Sequence, residues 1–133
     1  MSGEKITTLL LAAGKGSRLQ PLTNHWPKCL MPIKGRPLLE YWLSNFKKQN
    51  IDEVLVNRHH HSEIVNEFIQ QPQFIGWVKS VYEEQLMGTA GTLRKNANFF
   101  YNHSIIIAHA DNWCCCDFED FIAFHNFSRP EGT

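Results

Sequence analysis

The sequence has no excess charge of either sign: 13 lysines and arginines stand against 13 aspartates and glutamates, for a formal net charge of zero. That balance argues against nucleic acid or an anionic membrane as the main partner, because both are found through a basic surface. The chain also lacks a long apolar run. The stretch Ile6–Leu11 is far too short to span a bilayer, and Met1-Ser2-Gly3-Glu4-Lys5 ahead of it carries no signal-peptide pattern, so a cytoplasmic protein is expected. There are no internal repeats, low-complexity tracts or convincing linkers, and 133 residues fit one domain, 1–133, with room for a core. CxxC spacing is missing as well. The four cysteines are Cys29 and the run Cys114-Cys115-Cys116, which is poorly arranged for bridging or for a zinc site, so free thiols are expected, some of them buried.

What is present is an alternation of apolar strands and amphipathic helices. Strands are predicted at Lys5–Leu11, Asp52–Asn57, Trp77–Tyr82 and His103–Ala108. Helices are predicted from Pro37 to Lys48, from Ser62 to Gln70 with Ser62 as N-cap, from Thr89, and from Asp117 to Asn126. Leu38, Leu39, Trp42, Leu43 and Phe46 form one stripe, so Trp42 is expected in the core. This order predicts an α/β fold, a doubly wound, mostly parallel Rossmann-like sheet with right-handed crossovers. The fourth strand is apolar on both faces with no later strand to cover it. Such an edge invites pairing, so a homo-oligomer through it or through a swapped element is expected.

The first strand empties into Gly14-Lys15-Gly16-Ser17-Arg18, and Lys28 follows ten residues after Arg18. Glycines let backbone N–H groups approach an anion, and nearby cations offset a polyphosphate's charge. Two familiar phosphate patterns fail here. The P-loop needs a glycine, four residues, then Gly-Lys-Ser/Thr, and Gly14-Lys15-Gly16-Ser17 lacks both the leading glycine and that order; the dinucleotide fingerprint needs a third glycine where Leu19 stands. At the end of the fourth strand lies His109-Ala110-Asp111-Asn112. An aspartate there is either a helix cap or a metal ligand, and His109 reads as packed or hydrogen-bonded. The run His59-His60-His61 reads as a solvated loop whose rings diverge rather than as a zinc site.

The whole segment Gly14-Lys15-Gly16-Ser17-Arg18-Leu19-Gln20-Pro21-Leu22-Thr23, then Pro27-Lys28-Cys29-Leu30-Met31-Pro32, resembles the signature of the sugar-1-phosphate nucleotidyltransferases, of the mannose-1-phosphate guanylyltransferase or glucose-1-phosphate thymidylyltransferase type. Cys29 stands where that family usually has proline. Glu83-Glu84-Gln85-Leu86-Met87-Gly88-Thr89-Ala90-Gly91 is similar to the segment that closes over the nucleotide base in the same family.

The resemblance implies transfer of a nucleoside monophosphate from an NTP to a sugar-1-phosphate, with Mg²⁺ as cofactor. It implies nucleotide contacts from Ala12, Ala13, Gly14, Gly16, Ser17, Glu83, Gln85, Gly88 and Thr89. Arg18 would hold the departing phosphates, Lys28 would balance the α-phosphate, and Asp111 would hold the metal. It reaches only the nucleotide-binding half of the family's pattern; the sugar-binding part is expected to be absent, leaving a non-catalytic nucleotide-binding module as an alternative. Phosphocholine cytidylyltransferase-like members share the loop, so the acceptor need not be a sugar.

Overall fold

The computed structural model describes residues 4–128 and 131–133. Met1–Gly3, read above as lacking a signal pattern, and Arg129–Pro130 of the tail lie outside them. Four parallel strands make the central sheet: β1 (Ile6–Leu11), β4 (Glu53–Arg58), β5 (Val78–Tyr82) and β6 (Ser104–His109), in the order β5-β4-β1-β6. A two-stranded antiparallel hairpin, β2 (Pro32–Ile33) with β3 (Arg36–Pro37), leads into the first helix. The helices are α1 (Leu38–Lys48), α2 (Ser62–Ile69), α3 (Gly88–Lys95), α4 (Ala97–Phe100) and α5 (Phe118–Ser128).

The order of connection decides which face each helix covers. The crossovers β1→β4→β5 step outward in one direction and lay α1 and α2 on the same face. The return from β5 past both inner strands to β6 places α3 and α4 on the other. The two hydrophobic clusters obey this division. Leu10, Val54, Val56 and Ile106 pack with Leu39, Leu43 and Phe46 of α1 and Val65 and Ile69 of α2, whereas Leu9 and Leu55 pack with Phe100 of α4. Trp42 is in the core, as its position on the stripe predicts, and its indole N–H donates to the Asn112 carbonyl at 2.9 Å. The sheet is therefore doubly wound, and its order reverses between β1 and β6. In such sheets the ligand crevice opens outside the carboxyl ends of the strands at that reversal.

Three details differ from expectation. Ser62 is the first helical residue and not the cap: His61 occupies the N-cap with φ 48°, and the Ser62 hydroxyl accepts from Arg58 Nη1 at 2.5 Å. Pro37 likewise precedes α1, closing β3. The histidine run is not a solvated loop of diverging rings. Because His61 takes a left-handed backbone, His60 and His61 swing to one side, their ring centroids 4.1 Å apart, and both Nε2 atoms meet the Thr23 carbonyl, at 2.8 and 3.1 Å.

Cys29 is buried, and desolvation pushes its thiol up from 9.0 to about 12, so it stays protonated at neutral pH. All four cysteines are free. No helix among the described residues is long and apolar enough to cross a membrane.

Candidate active site

A cleft of about 550 Å³ opens at the carboxyl ends of β1, β4 and β6, where the strand order predicts it. It gathers residues far apart in sequence: Gly14, Gly16, Ser17 and Arg18 from the first loop, Lys28, Glu83, Gly88 and Thr89, and Asp111 beyond β6. Ala13 lines it too. Ala12 is buried beneath, and Gln85 is exposed on the turn before α3, outside the lining.

The first loop is held by a backbone turn and by one buried threonine. Leu19 N donates to the Gly16 carbonyl at 2.9 Å, closing the short 3-10 turn Ser17–Leu19 that carries Arg18. Thr23 is 1% exposed; its hydroxyl donates to the same carbonyl at 2.8 Å, while its own carbonyl meets His60 and His61. Gly16 has φ 62°, and a Cβ there would meet Thr23 Cγ2 at 2.8 Å and Lys28 Cβ at 3.1 Å. The glycine is needed for both shape and space. Gly14 faces open space, with nothing within 4 Å of an added Cβ.

Across the cleft Lys28 Nζ donates to Asp111 Oδ2 at 2.9 Å, with the two side chains 33% and 41% exposed. An ion pair this wet contributes on the order of 0–1 kcal/mol, so either partner can exchange it for a ligand at small cost. Arg18 is exposed and lines the same cleft. Two cations and a carboxylate thus surround a glycine-edged pocket, an arrangement suited to a polyphosphate.

The profile of the nucleotidyl transferase family matches residues 7–132. The chain belongs to this family. Among curated nucleotidyl transferases, a mannose-1-phosphate guanylyltransferase of Mycobacterium tuberculosis is 26% identical, the match covering 100% of this chain and 37% of the relative. A UTP–glucose-1-phosphate uridylyltransferase of Synechocystis is 27% identical over 88% of this chain and 33% of the relative. The chain spans about a third of the length of these relatives. Among solved structures, HddC of Yersinia pseudotuberculosis complexed with GMP-PN superposes with TM-score 0.77 at 20% identity, covering 90% of this chain and 53% of that one. The likeness shows the Rossmann-like nucleotidyl transferase fold.

Not every residue that shapes the site was placed correctly from sequence. Asn57, the penultimate residue of β4, accepts the backbone N–H groups of Ala12 and Ala13. Its signal was available: a lone polar residue closing the strand DEVLVN. His109 was expected to be packed or hydrogen-bonded; it is exposed on the cleft, because β6 is the sheet edge and among the described residues no strand lies beside its last residue. Thr23 gave no such cue, since its role depends on the turns on either side of it.

Proposed function

We propose that this chain is the nucleotide-binding half of a sugar-1-phosphate nucleotidyltransferase, joining an NTP to a sugar-1-phosphate and releasing pyrophosphate. The observation that carries this reading is the convergence of Gly14, Gly16, Arg18, Lys28 and Asp111 on one cleft at the reversal of the sheet. The acceptor's phosphate oxygen attacks the α-phosphorus and pyrophosphate leaves in line. The protein needs to position the two substrates and neutralise charge as it builds.

In this reading the N–H groups from Gly14 onward approach the phosphates, aided by the Ser17 hydroxyl. Arg18 grips the departing pair, Lys28 turns from Asp111 to the α-phosphate, and the base lies against the wall formed by residues 83–89. Asp111 is the residue that would hold Mg²⁺. One exposed carboxylate suits an ion that keeps its waters and takes substrate oxygens, and among the described residues no cluster of three His, Cys, Asp or Glu offers an all-protein cage. Bound there, Mg²⁺ supplies Lewis-acid neutralisation of phosphate charge.

The relatives differ in the base named, guanine or uracil, so base and acceptor are read by experiment. Pyrophosphate release with GTP, UTP, dTTP and CTP, each paired with mannose-1-phosphate, glucose-1-phosphate and phosphocholine, tests the reading, with calorimetric titration of each NTP and magnesium alongside. Binding with turnover supports the enzyme. Binding without turnover supports a second reading, a nucleotide-binding module. That reading is favoured by β6 being the sheet edge, so that no strand among the described residues extends the cleft past Asp111. No binding at all rejects both.

The same edge supports self-association. Ile105 and Ile107 of β6 are 38% and 44% exposed, and one side of the strand is unpaired. A dimer by light scattering at micromolar concentration is expected, reverting to monomer in Ile107→Lys; a monomeric starting protein rejects pairing through this edge. A cytoplasmic setting fits these substrates.

A further inference from the structure

We infer that Asn57 and Glu83 are positioning residues that lock the phosphate-side wall of the cleft to the base-side wall; the inference rests on the nucleotide-binding role proposed above. Counting donors and acceptors fixes every partner. Ala12 and Ala13 offer backbone N–H groups, which can only donate, so Asn57 must turn Oδ1 to them, at 2.7 and 3.2 Å. Its Nδ2 then faces Glu83 and donates to Oε1 at 2.9 Å. The Thr92 hydroxyl of α3 reaches the same oxygen at 2.5 Å, and the Met87 N–H donates to Oε2 at 3.2 Å. Both oxygens of Glu83 accept, as only a carboxylate can.

Glu83 is 1% exposed, and its backbone is pinned as well. Its N–H donates to the Arg58 carbonyl at 2.8 Å, and His59 Nδ1 meets its carbonyl at 2.7 Å. The ends of β1, β4 and β5 and the start of α3 therefore meet on one buried carboxylate. The amides of Ala12 and Ala13 are spent inward, so donors available to a phosphate begin at Gly14. Because backbone N–H groups close the relay at both ends, neither end can reverse its polarity. A change at Glu83 is therefore felt at Met87 or, through Asn57, at Ala12 and Ala13 across the cleft.

Two near-isosteric substitutions break this relay, and their combination repairs it. Asn57→Asp sets a carboxylate oxygen against Glu83 Oε1. Glu83→Gln sets an NH₂ against either the Asn57 NH₂ or the Met87 N–H. In Asn57→Asp/Glu83→Gln the new carboxylate accepts from Ala12, Ala13 and the new amide, and the amide's oxygen accepts from Met87. The Thr92 hydroxyl, also 3.0 Å from the Gly88 carbonyl, can send its proton there and accept instead.

Amide hydrogen exchange at Ala12, Ala13 and Met87 reads the relay without any ligand, and titration with GTP, UTP, dTTP and CTP plus magnesium reads its consequence. Asn57→Asp is expected to speed exchange at Ala12 and Ala13, and Glu83→Gln at Met87 or at Ala12 and Ala13; each is expected to weaken the tightest NTP by roughly tenfold or more, the size expected for one unsatisfied buried donor or acceptor. The double variant is expected to return both to within about threefold of wild type. Wild-type exchange at all three amides in Glu83→Gln overturns the inference, as does a double variant no better than the singles. Should a single variant fail to fold, the double variant decides alone. A wild-type protein that binds none of the four NTPs rejects the proposed function, while the exchange data still decide the relay.

Discussion

Arg18→Ala is expected to lower pyrophosphate release by roughly a hundredfold or more, the usual cost of removing one preorganised charge stabiliser from a site. The residue is exposed on the rim of the cleft, in a turn closed by Leu19 N to the Gly16 carbonyl, so its side chain does not hold the loop together. Thermal stability should accordingly stay within about 0.5 kcal/mol of the parent. Loss of rate with an unmoved melt separates a phosphate-gripping role from a structural one. Arg18→Lys should recover only part of the rate, because an ammonium supplies the charge but not the planar fork that bonds two phosphate oxygens at once. Steady-state release at saturating and limiting NTP divides the effect between binding and turnover. An Arg18→Ala protein with the parent's rate would remove the guanidinium from the phosphate site. In a chain that binds without turnover, the same substitution should raise the dissociation constant for NTP, and titration reads it.

The strands, most helices and the doubly wound topology were legible because each rests on a local period: apolar runs for β1 and β4, and the Leu39–Leu43–Phe46 stripe for α1. The glycine loop, Arg18, Lys28 and Asp111 were legible as a motif, and the cleft collects them. What escaped depends on backbone signs and distant partners. The β2–β3 hairpin has two residues per strand and turns on Lys34 and Gly35 with φ 50° and 78°, a primed turn that the flanking prolines disguised as punctuation. The convergence of His60 and His61 follows from one left-handed residue, which no composition reveals. Asn57 and Glu83 find each other across 26 positions, and Asn57 finds Ala12 across 45, so single-strand patterns see only a stray polar residue and an acid before a turn. Glu83 lines the cleft, and its buried side chain is engaged by Asn57, Thr92 and Met87, partners that no local pattern announces.

Gly16 and Gly14 should respond to alanine in opposite ways, although the motif treats them alike. At Gly16 the backbone is left-handed, which costs an L-residue about 1–2 kcal/mol. The new methyl would also meet Thr23 Cγ2 at 2.8 Å. Thr23 cannot step aside without losing its bond to the Gly16 carbonyl and the two histidine contacts on its own carbonyl. Overpacking of this kind adds roughly 1–3 kcal/mol. Gly16→Ala should therefore destabilise the fold by about 2–5 kcal/mol, a melting shift of roughly 8–20 °C for a chain of this size. NTP binding should fall with it, since the turn that carries Arg18 starts from this residue. At Gly14 the added methyl meets nothing within 4 Å, so Gly14→Ala should melt within about 0.5 kcal/mol of the parent. Its methyl enters the cleft lining where the proposed function puts the phosphates, so NTP binding should still weaken. One glycine is thus required by the protein and the other by the ligand. A Gly14→Ala protein with unaltered NTP affinity would leave the first loop as a well-braced turn with no anion to hold.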